Sequence, residues 1–396
     1  MAFTLLWGPI VRHTSLWVVP GDVWYTFRVA HLIGWGDIGG IYTSTYGQLS
    51  FPGAAVVLAP VAMLAWHLQL SESIGLLTEA HPTAWLILGP VVLAMGSACL
   101  AAFDALAEEL GVGRGRRIAL LAVEAMIAFQ VVTLWGHPED MVATGLAAYA
   151  LLAGHRRRWA PAGWLWGAAI VFQPLVLVAF PVALAMTPAR HRLRTCVSAV
   201  LPTAALMASP LLTQWGMTTR TLLHQANDPV VNHPTPWIAL STRINATAVT
   251  AGPGRTITLI LAVGLGVLAL RRRPTMEGLV WLVATALTLR CFFEAVMDPF
   301  YLGPPFALIV VACATRPQRH RLIVGSGAFF VASLISFHHL SEWAYWTPIV
   351  ALLALGLASA WPGRSAFRSD DVISTPESRP VPTAVGTLHH LVGTSD

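Results

Sequence analysis

Residues 21–60 read GDVWYTFRVAHLIGWGDIGGIYTSTYGQLSFPGAAVVLAP, a polar, glycine- and aromatic-rich segment in a chain that is otherwise mostly apolar. The segment begins with an acid, Asp22, and ends with Ser50-Phe-Pro52 at the start of a long apolar run. A charged, aromatic loop in front of such a run has one of two roles. It is a surface loop with interfacial Trp and Tyr, as membrane proteins commonly carry, or it belongs to a catalytic site.

The composition of the whole chain predicts an all-α polytopic integral membrane protein. Of the 396 residues 56% are apolar and only 11% are charged, whereas a soluble domain carries about 25% charged residues. The 24 basic residues are all arginine, and arginine at helix ends is typical of topology signals and headgroup contacts, so the expected partner is the lipid bilayer and not nucleic acid. The four cysteines lie in or beside apolar runs without metal-site spacing and are predicted to be reduced packing residues.

Repeated apolar runs predict a bundle of roughly ten to twelve transmembrane or re-entrant helices of about 20 residues each. The runs cover residues 51–68, 82–106, 117–135, 138–154, 161–186, 194–212, 256–270, 278–297, 301–314, 322–337 and 343–361. Residues 1–20, which Arg12 interrupts, are expected to be too short for an ideal spanning helix. The membrane domain is predicted to occupy residues 1–362, and the Ser-, Thr- and Pro-rich residues 363–396 to form a disordered cytoplasmic tail.

Arginine clusters set the expected topology. They fall at residues 114–117, 156–158, 190–194, 271–273 and 316–321, and short basic loops face the cytoplasm. The segments 136–140, 213–254, 298–301 and 338–342 would then share the outer face of a plasma-membrane protein. Residues 161–186 begin and end inside but are short for two crossings, so Gln173-Pro174 predicts a broken or re-entrant pair.

Asp22 is the first candidate for chemistry. A carboxylate on the outer face could take a proton from an acceptor hydroxyl as a general base. The alternative is a helix N-cap or turn residue after Pro20-Gly21. Local features do not separate these two interpretations.

Gly136-His-Pro-Glu-Asp140 is the second candidate. Pro138 at a helix start with Glu139 and Asp140 in the first turn is favourable N-terminal chemistry, which by itself explains both acids. The functional interpretation adds that His137 binds a phosphate or a sugar. The order of residues shows no metal-ligand periodicity, so no metal site is predicted.

The third candidate is the set Arg290, Glu294 and Asp298, at positions i, i+4 and i+8, followed by Pro299-Phe-Tyr301. This spacing predicts that all three lie on one face at the outer end of a helix. An Arg–Glu pair at helical spacing is often only an internal ion pair. An arginine that faces an outer cavity is also a natural clamp for a lipid phosphate.

Several short motifs, taken in order, resemble the GT-C membrane glycosyltransferases, and most closely their family 87, the polyprenyl-phosphate mannosyltransferase-like proteins. These motifs are Asp22-Val-Trp-Tyr25, Gly39-Gly-Ile-Tyr42, and Ser50-Phe-Pro52 before Leu58-Ala-Pro60. Residues 162–174, AGWLWGAAIVFQP, are similar to that family's small-residue helix that runs into Lys-Pro. The resemblance covers most of residues 20–310 and rests on the order and spacing of the motifs.

The resemblance implies transfer of a hexose such as mannose from a polyprenyl-phosphate donor to an envelope glycan or glycolipid acceptor. It implies a GT-C-like catalytic bundle, a donor that needs no nucleotide and often no metal, so no cofactor is expected, and an acceptor-side role for Asp22. Gln173 stands where the family usually has a basic residue, and Phe51-Pro52 where it has Tyr-Pro-Pro. The loss of the basic residue leaves Arg290 or Arg28 to supply charge to the donor phosphate. The predicted substrate-binding residues are Tyr25, Arg28, Tyr42, His137, Glu139, Asp140, Gln173, Arg290, Glu294 and Tyr301.

Two functions of other classes remain as alternatives. A transporter or flippase of lipid-linked sugars would share the broken helix and the cavity charges, but it usually shows inverted halves, and no internal repeat is visible. A non-catalytic membrane subunit would use Asp22 only as a cap.

Overall fold

A computed structural model of the chain describes residues 20–43, 50–71, 83–223, 225, 227–230 and 232–367. The expectation for residues 1–20 falls, except for Pro20, outside these described residues, and so does the predicted tail beyond residue 367. The first residues of that tail are ordered, however, because Phe367 stacks on Trp361 with ring centroids 5.1 Å apart and Thr275 N donates to Ala366 O at 2.9 Å. The described residues 364–367 thus pack against the helices, and the division into residues 1–362 and 363–396 stays a prediction.

The described chain is almost entirely helical. Its α-helices are, in order, α1 Gly21–Gly34, α2 Gly53–His67, α3 Trp85–Ser97, α4 Cys99–Glu109, α5 Arg114–Phe129, α6 Pro138–His155, α7 Trp159–Phe172, α8 Phe180–Ala185, α9 Ala189–Thr213, α10 Trp215–Leu223, α11 Gly254–Arg272, α12 Met276–Phe293, α13 Gly303–Ala314, α14 Arg319–Ile335 and α15 Glu342–Ala360. A π-helical turn, Gln130–Leu134, extends α5, and 3₁₀ turns cover Pro174–Ala179, Pro236–Leu240, Pro299–Leu302 and Arg364–Phe367.

Six of the described helical stretches are long and apolar enough to cross a membrane: Trp85–Glu109, Arg114–Leu134, Ala189–Thr213, Gly254–Arg272, Met276–Phe293 and Glu342–Ala360. Four shorter apolar stretches accompany them: Gly53–His67, Trp159–Phe172, Pro174–Ala185 and Pro299–Ala314. The prediction of an all-α polytopic membrane protein is confirmed at this level. Several of the predicted segments are thus shorter than the bilayer core requires for an upright helix.

Glycine lets the central helices of the bundle pack closely. A side chain at Gly163 or Gly167 of α7 would collide with the backbone of α9 at Thr195 or Ala199. Small residues of this kind let membrane helices approach backbone to backbone. Helix α13 is buried along its whole length and forms the centre of the core.

The predicted break in the segment 161–186 is confirmed. Helix α7 ends at Phe172, Gln173 is extended (φ −146°, ψ 107°), and Pro174 starts a 3₁₀ turn that leads into α8. Proline has no amide hydrogen and disfavours helical backbone in the residue before it, which explains the position of the break.

A small two-stranded sheet, with two residues in each strand, connects the long loop between α10 and α11 to the segment that follows α12. Strand β1 (His233–Pro234) pairs antiparallel with β2 (Val296–Met297), with His233 opposite Met297. Next to it, Thr235 N donates to Ala295 O at 3.0 Å. The strand draws residues 294–297 away from the axis of α12, so the expectation that Arg290, Glu294 and Asp298 share one helical face is wrong. Helix α12 ends at Phe293, and Asp298 follows β2.

Candidate functional site

His137 lies at the centre of the site, in the short link between the π-helical turn and α6. Gly136 before it has a positive φ of 77°, which glycine adopts at little cost. A Cβ on Gly136 would lie 2.7 Å from Cβ of Pro20, so the glycine also lets the start of α1 approach. This local backbone places the imidazole of His137 beside Asp22.

Carboxylates face both ring nitrogens of His137. Nε2 is 2.9 Å from Oδ2 of Asp22, and Nδ1 is 2.7 Å from Oε1 of Glu139 and 3.6 Å from Oδ2 of Asp140. The ring stacks on Phe300 with centroids 3.4 Å apart. Burial lowers the pKa of His137, but the charges of Glu139 and Asp22 outweigh it and raise the pKa well above the usual value. A carboxylate oxygen lies at hydrogen-bond distance from each ring nitrogen, an arrangement that suits the doubly protonated imidazolium, which can donate to both Asp22 and Glu139.

Asp140 connects this cluster to the broken helix. Its side chain is fully buried, and Oδ1 accepts a hydrogen bond of 3.0 Å from Nε2 of Gln173. Because Gln173 is released from helical geometry, its amide can reach Asp140. Oδ2 of Asp140 and Oε2 of Glu139 have no hydrogen-bond partner among the described residues. We call Asp22, His137, Glu139, Asp140 and Gln173 the His137 group.

These acids lie in the first turns of their helices, but they make no side-chain capping bond at the starts of α1 and α6. Pro138 does stand at the first position of α6 with both acids in the first turn, as expected. Asp22 lies inside the first turn of α1, after the N-cap Pro20. The carboxylates instead contact His137 and Gln173.

A second cluster forms where α12 ends. Glu294, 1% exposed, pairs with Arg290 at 3.0 Å and with Arg255, from the first turn of α11, at 3.1 Å. The guanidinium of Arg290 lies over the ring of Tyr301 at 4.2 Å from its centroid. We call Arg255, Arg290, Glu294 and Tyr301 the Arg290 group.

Asp298 and Phe300 join the two groups. Phe300 stacks on His137, and its ring is 4.7 Å from that of Tyr301. Asp298 is buried, hydrogen-bonds Tyr301 and interacts electrostatically with His137 and Arg290. Burial raises the pKa of Asp298 to about 7. The site therefore combines residues from the starts of α1, α6 and α11 with the segment between α12 and α13.

Eight of the eleven predicted site residues fall into the two groups in the described part of the chain. Asp22, His137, Glu139, Asp140 and Gln173 form one group, and Arg290, Glu294 and Tyr301 belong to the other. Tyr25 is 46% exposed and packs edge-on against Trp24, and Arg28 lies over the ring of Trp24 at 5.6 Å.

Tyr42 has a structural role. It is buried, and its hydroxyl donates to Ser50 O at 2.8 Å, which ties residue 42 to the start of the segment before α2. Within the described residues Tyr42 shows no contact with either group, and its predicted substrate contact stays a prediction.

Sequence reasoning missed two contributors, Phe300 as the platform for His137 and Arg255 as the second partner of Glu294. It named Asp298 as a candidate but did not foresee that Asp298 links the two groups. The signal for Phe300 was the aromatic pair Phe300-Tyr301, which directly follows the charged end of a helix. Arg255 lies between the polar segment 213–254 and the apolar run 256–270, and nothing in its local sequence pointed to Glu294.

The donor set of His137, Glu139 and Asp140 could hold a metal ion, since one ligand atom from each lies within 4.8 Å of the others. Imidazole with carboxylates suits several divalent metals. The sequence-based expectation that no metal takes part stays a prediction.

Comparison of the chain with models of known protein families, with curated proteins and with solved structures finds no match.

Proposed function

We propose that this protein is a membrane glycosyltransferase of GT-C type. It transfers a sugar, a hexose such as mannose, from a polyprenyl-phosphate donor to an envelope glycan or lipid acceptor at the outer face of the plasma membrane. The observation that supports this proposal most strongly is the 2.9 Å pair between Asp22 and His137, beside a cluster that contains two arginines. An acid poised for a proton thus lies close to groups suited to a phosphate.

Asp22 is the proposed general base. Its side chain is 55% exposed while that of His137 is 13% exposed, so an acceptor hydroxyl can approach the carboxylate from solvent. Asp22 takes the hydroxyl proton as the oxygen bonds to the anomeric carbon of the donor sugar. His137 keeps the carboxylate ionised and oriented, because the imidazolium donates to one of its oxygens. His137 is thus the group that orients the base, and Glu139 in turn fixes His137 through its other ring nitrogen.

Arg290 is the proposed partner of the leaving group. When the bond from the anomeric carbon to the phosphate oxygen breaks, the electron pair stays on the lipid phosphate. A guanidinium fork binds such an anion with two parallel hydrogen bonds. The stacking of Arg290 on Tyr301 fixes the plane of the fork. Gln173, bonded to Asp140, is a neutral substitute for the basic residue usual in the family.

One observation favours a transporter or flippase instead. The interrupted helix at Gln173 puts irregular backbone beside a buried acid, Asp140, and broken helices of this kind are typical of transporter binding sites. A transporter would move the lipid-linked sugar without forming a glycosidic bond. The decisive measurement is therefore chemical transfer.

The test uses the purified full chain in lipid nanodiscs with radiolabelled polyprenyl-phosphate hexose and a membrane-lipid extract as acceptor. Label should pass to a new product with wild type, and Asp22→Asn should transfer about 100- to 10,000-fold more slowly, because base catalysis contributes that much. Asp37→Asn is the matched control, because Asp37 is an exposed acid that caps the nearby turn through Gly40 N. Transfer by folded Asp22→Asn at the rate of the Asp37→Asn control would exclude Asp22 as the base. Translocation of the label without any new product would support the transporter.

A further inference from the structure

A polar cavity of about 440 Å³ lies beside the Arg290 group, between the end of α10, the loop that follows it and the start of α11. Its polar lining comes from Gln225, Thr242, Thr250, Arg255 and Thr256. The volume is within the usual range of ligand pockets, about 300–1,000 Å³. Neither the proposed base nor the leaving-group arginine lines it.

The threonine wall of the cavity is built by the loop itself. Thr250 N donates to Thr242 O at 2.9 Å, and Thr242 N donates back to Oγ1 of Thr250 at 3.0 Å. Gly252 turns the chain with φ 61°, where a side chain would collide with Oγ of Ser241. Because hydrogen bonds within the loop hold this wall in place, the cavity is largely formed before any ligand enters.

Arg255 supplies the cation of the cavity and is anchored at one side. Its Nε contacts Glu294, and Nη2 donates to Oδ1 of Asn227 at 3.3 Å. Nη1 has no hydrogen-bond partner among the described residues, so donor capacity remains on a guanidinium held in place from behind. No acidic side chain is among the residues that line the cavity.

The lining therefore selects the chemistry of its ligand. Threonine hydroxyls and a glutamine amide suit a polyol, a guanidinium without an acid in the lining suits an anion, and the exposed Leu223 and Leu240 at the cavity suit an adjoining hydrocarbon chain. We propose that this cavity binds a phosphorylated polyol. On the proposed function, on which this last step rests, the ligand is the phosphate-bearing headgroup of a lipid acceptor.

The test measures binding alone, without donor. Purified full-length protein in phosphatidylcholine nanodiscs is titrated with glycerol 1-phosphate, with glycerol and inorganic phosphate as its two halves, by saturation-transfer NMR and thermal shift. Glycerol 1-phosphate should bind more tightly than either half. Arg255→Gln should weaken it at least about tenfold, since a hydrogen bond to a charged group is lost. Arg243→Gln, an exposed arginine of the same loop, should bind as wild type does.

Thr256→Val keeps the proposal testable if Arg255→Gln does not fold. Thr256 is exposed and its hydroxyl makes no hydrogen bond within the described residues, so the variant should fold normally and bind a few-fold more weakly. Nanodiscs of phosphatidylglycerol distinguish a lipid headgroup from a soluble ligand, because a lipid in the cavity should compete with the probe.

Equal affinity in wild type, Arg255→Gln and Thr256→Val would overturn the proposal. Asp22→Asn should bind the probe as wild type does. Probe binding thus tests the cavity, and product formation by Asp22→Asn tests the proposed transfer. One proposal can therefore be wrong while the other holds.

Discussion

Around His137 three carboxylates approach one imidazole ring, whereas around Glu294 two guanidinium groups approach one carboxylate. The two groups meet through Phe300 and Asp298 but carry opposite excess charge. In the His137 group the surplus is negative, which suits the removal of a proton from a hydroxyl. In the Arg290 group the surplus is positive, which suits an anion.

Both groups differ from an ion pair that only stabilises a fold. A buried pair that only stabilises a fold needs matched charges and filled hydrogen bonds, because an uncompensated buried charge is costly. Both groups here leave charge or hydrogen-bonding capacity unmatched, on Asp140 and Glu139 in one and on Arg255 in the other. A substrate that brings a hydroxyl and a phosphate would complement the two groups together.

His137→Gln is expected to cause the largest loss of transfer. This change leaves three acids without their cation, so transfer should fall roughly 100-fold or more, within the range of lost acid–base catalysis. The charge and hydrogen bond of His137 outweigh the effect of burial and lower the pKa of Asp22. In His137→Gln that pKa should rise, and the acid limb of the pH–rate profile should move to higher pH. A lower rate with an unmoved acid limb would mean that His137 is only structural.

A smaller effect is expected on the arginine side. Arg290→Lys keeps the charge opposite Glu294 but loses the planar fork. The KM for the donor should rise about tenfold, the equivalent of one charge-assisted hydrogen bond, with a smaller change in kcat and in the melting temperature. Arg220→Lys on α10 is the matched control. An unchanged donor KM in Arg290→Lys would mean that Arg290 does not bind the phosphate of the donor.

Asp298, which links the His137 group to the Arg290 group, should make the stability of the protein depend on pH. Because burial raises the pKa of Asp298 to about 7, the folded protein binds a proton there that the unfolded chain releases near pH 4. The contribution is fully present below about pH 4 and is lost as the pH rises to about 7, at up to about 1.4 kcal/mol per pKa unit. Thermal melts from pH 4 to pH 8 should show this decline in wild type and a weaker one in Asp298→Asn. Parallel curves would mean that Asp298 does not titrate there.

The smallest effect is expected from metal removal. The proposed chemistry uses side chains alone, so dialysis against EDTA followed by EDTA-free buffer should leave the transfer rate unchanged. A loss of transfer that Mn²⁺ restores would show that His137, Glu139 and Asp140 hold an ion, and would change the electrostatics assigned to the His137 group.

The parts of the structure that could be predicted are those with local or compositional causes. The low charge content predicts the membrane class, Pro138 predicts the start of α6, and Gln173-Pro174 predicts the end of α7. The arginine clusters predicted that residues 136–140 and 298–301 lie on the same side of the membrane, and the structure does bring His137 and Phe300 together.

The parts that could not be predicted depend on contacts between distant segments. The pairing of His233 with Met297 turns the chain out of α12, so the helical spacing of Arg290, Glu294 and Asp298 misleads. Arg255 meets Glu294 across 39 positions, and neither residue signals the other locally. Tyr42 carries the same aromatic signal as a sugar-stacking residue, and the hydrogen bond from its hydroxyl to Ser50 O has no signal in the sequence.

The hydrogen bond between Asp22 and His137 spans 115 positions of the chain. Because the chain is synthesised from the N-terminus, α1 is made long before α6. During synthesis Asp22 is therefore present before its partner His137. The His137 group is complete once α7 and Gln173 have emerged, whereas the Arg290 group needs α11, α12 and the segment after it. A nascent chain therefore forms the His137 group first, and the two groups can join only after Asp298 and Phe300, which link them, have been made.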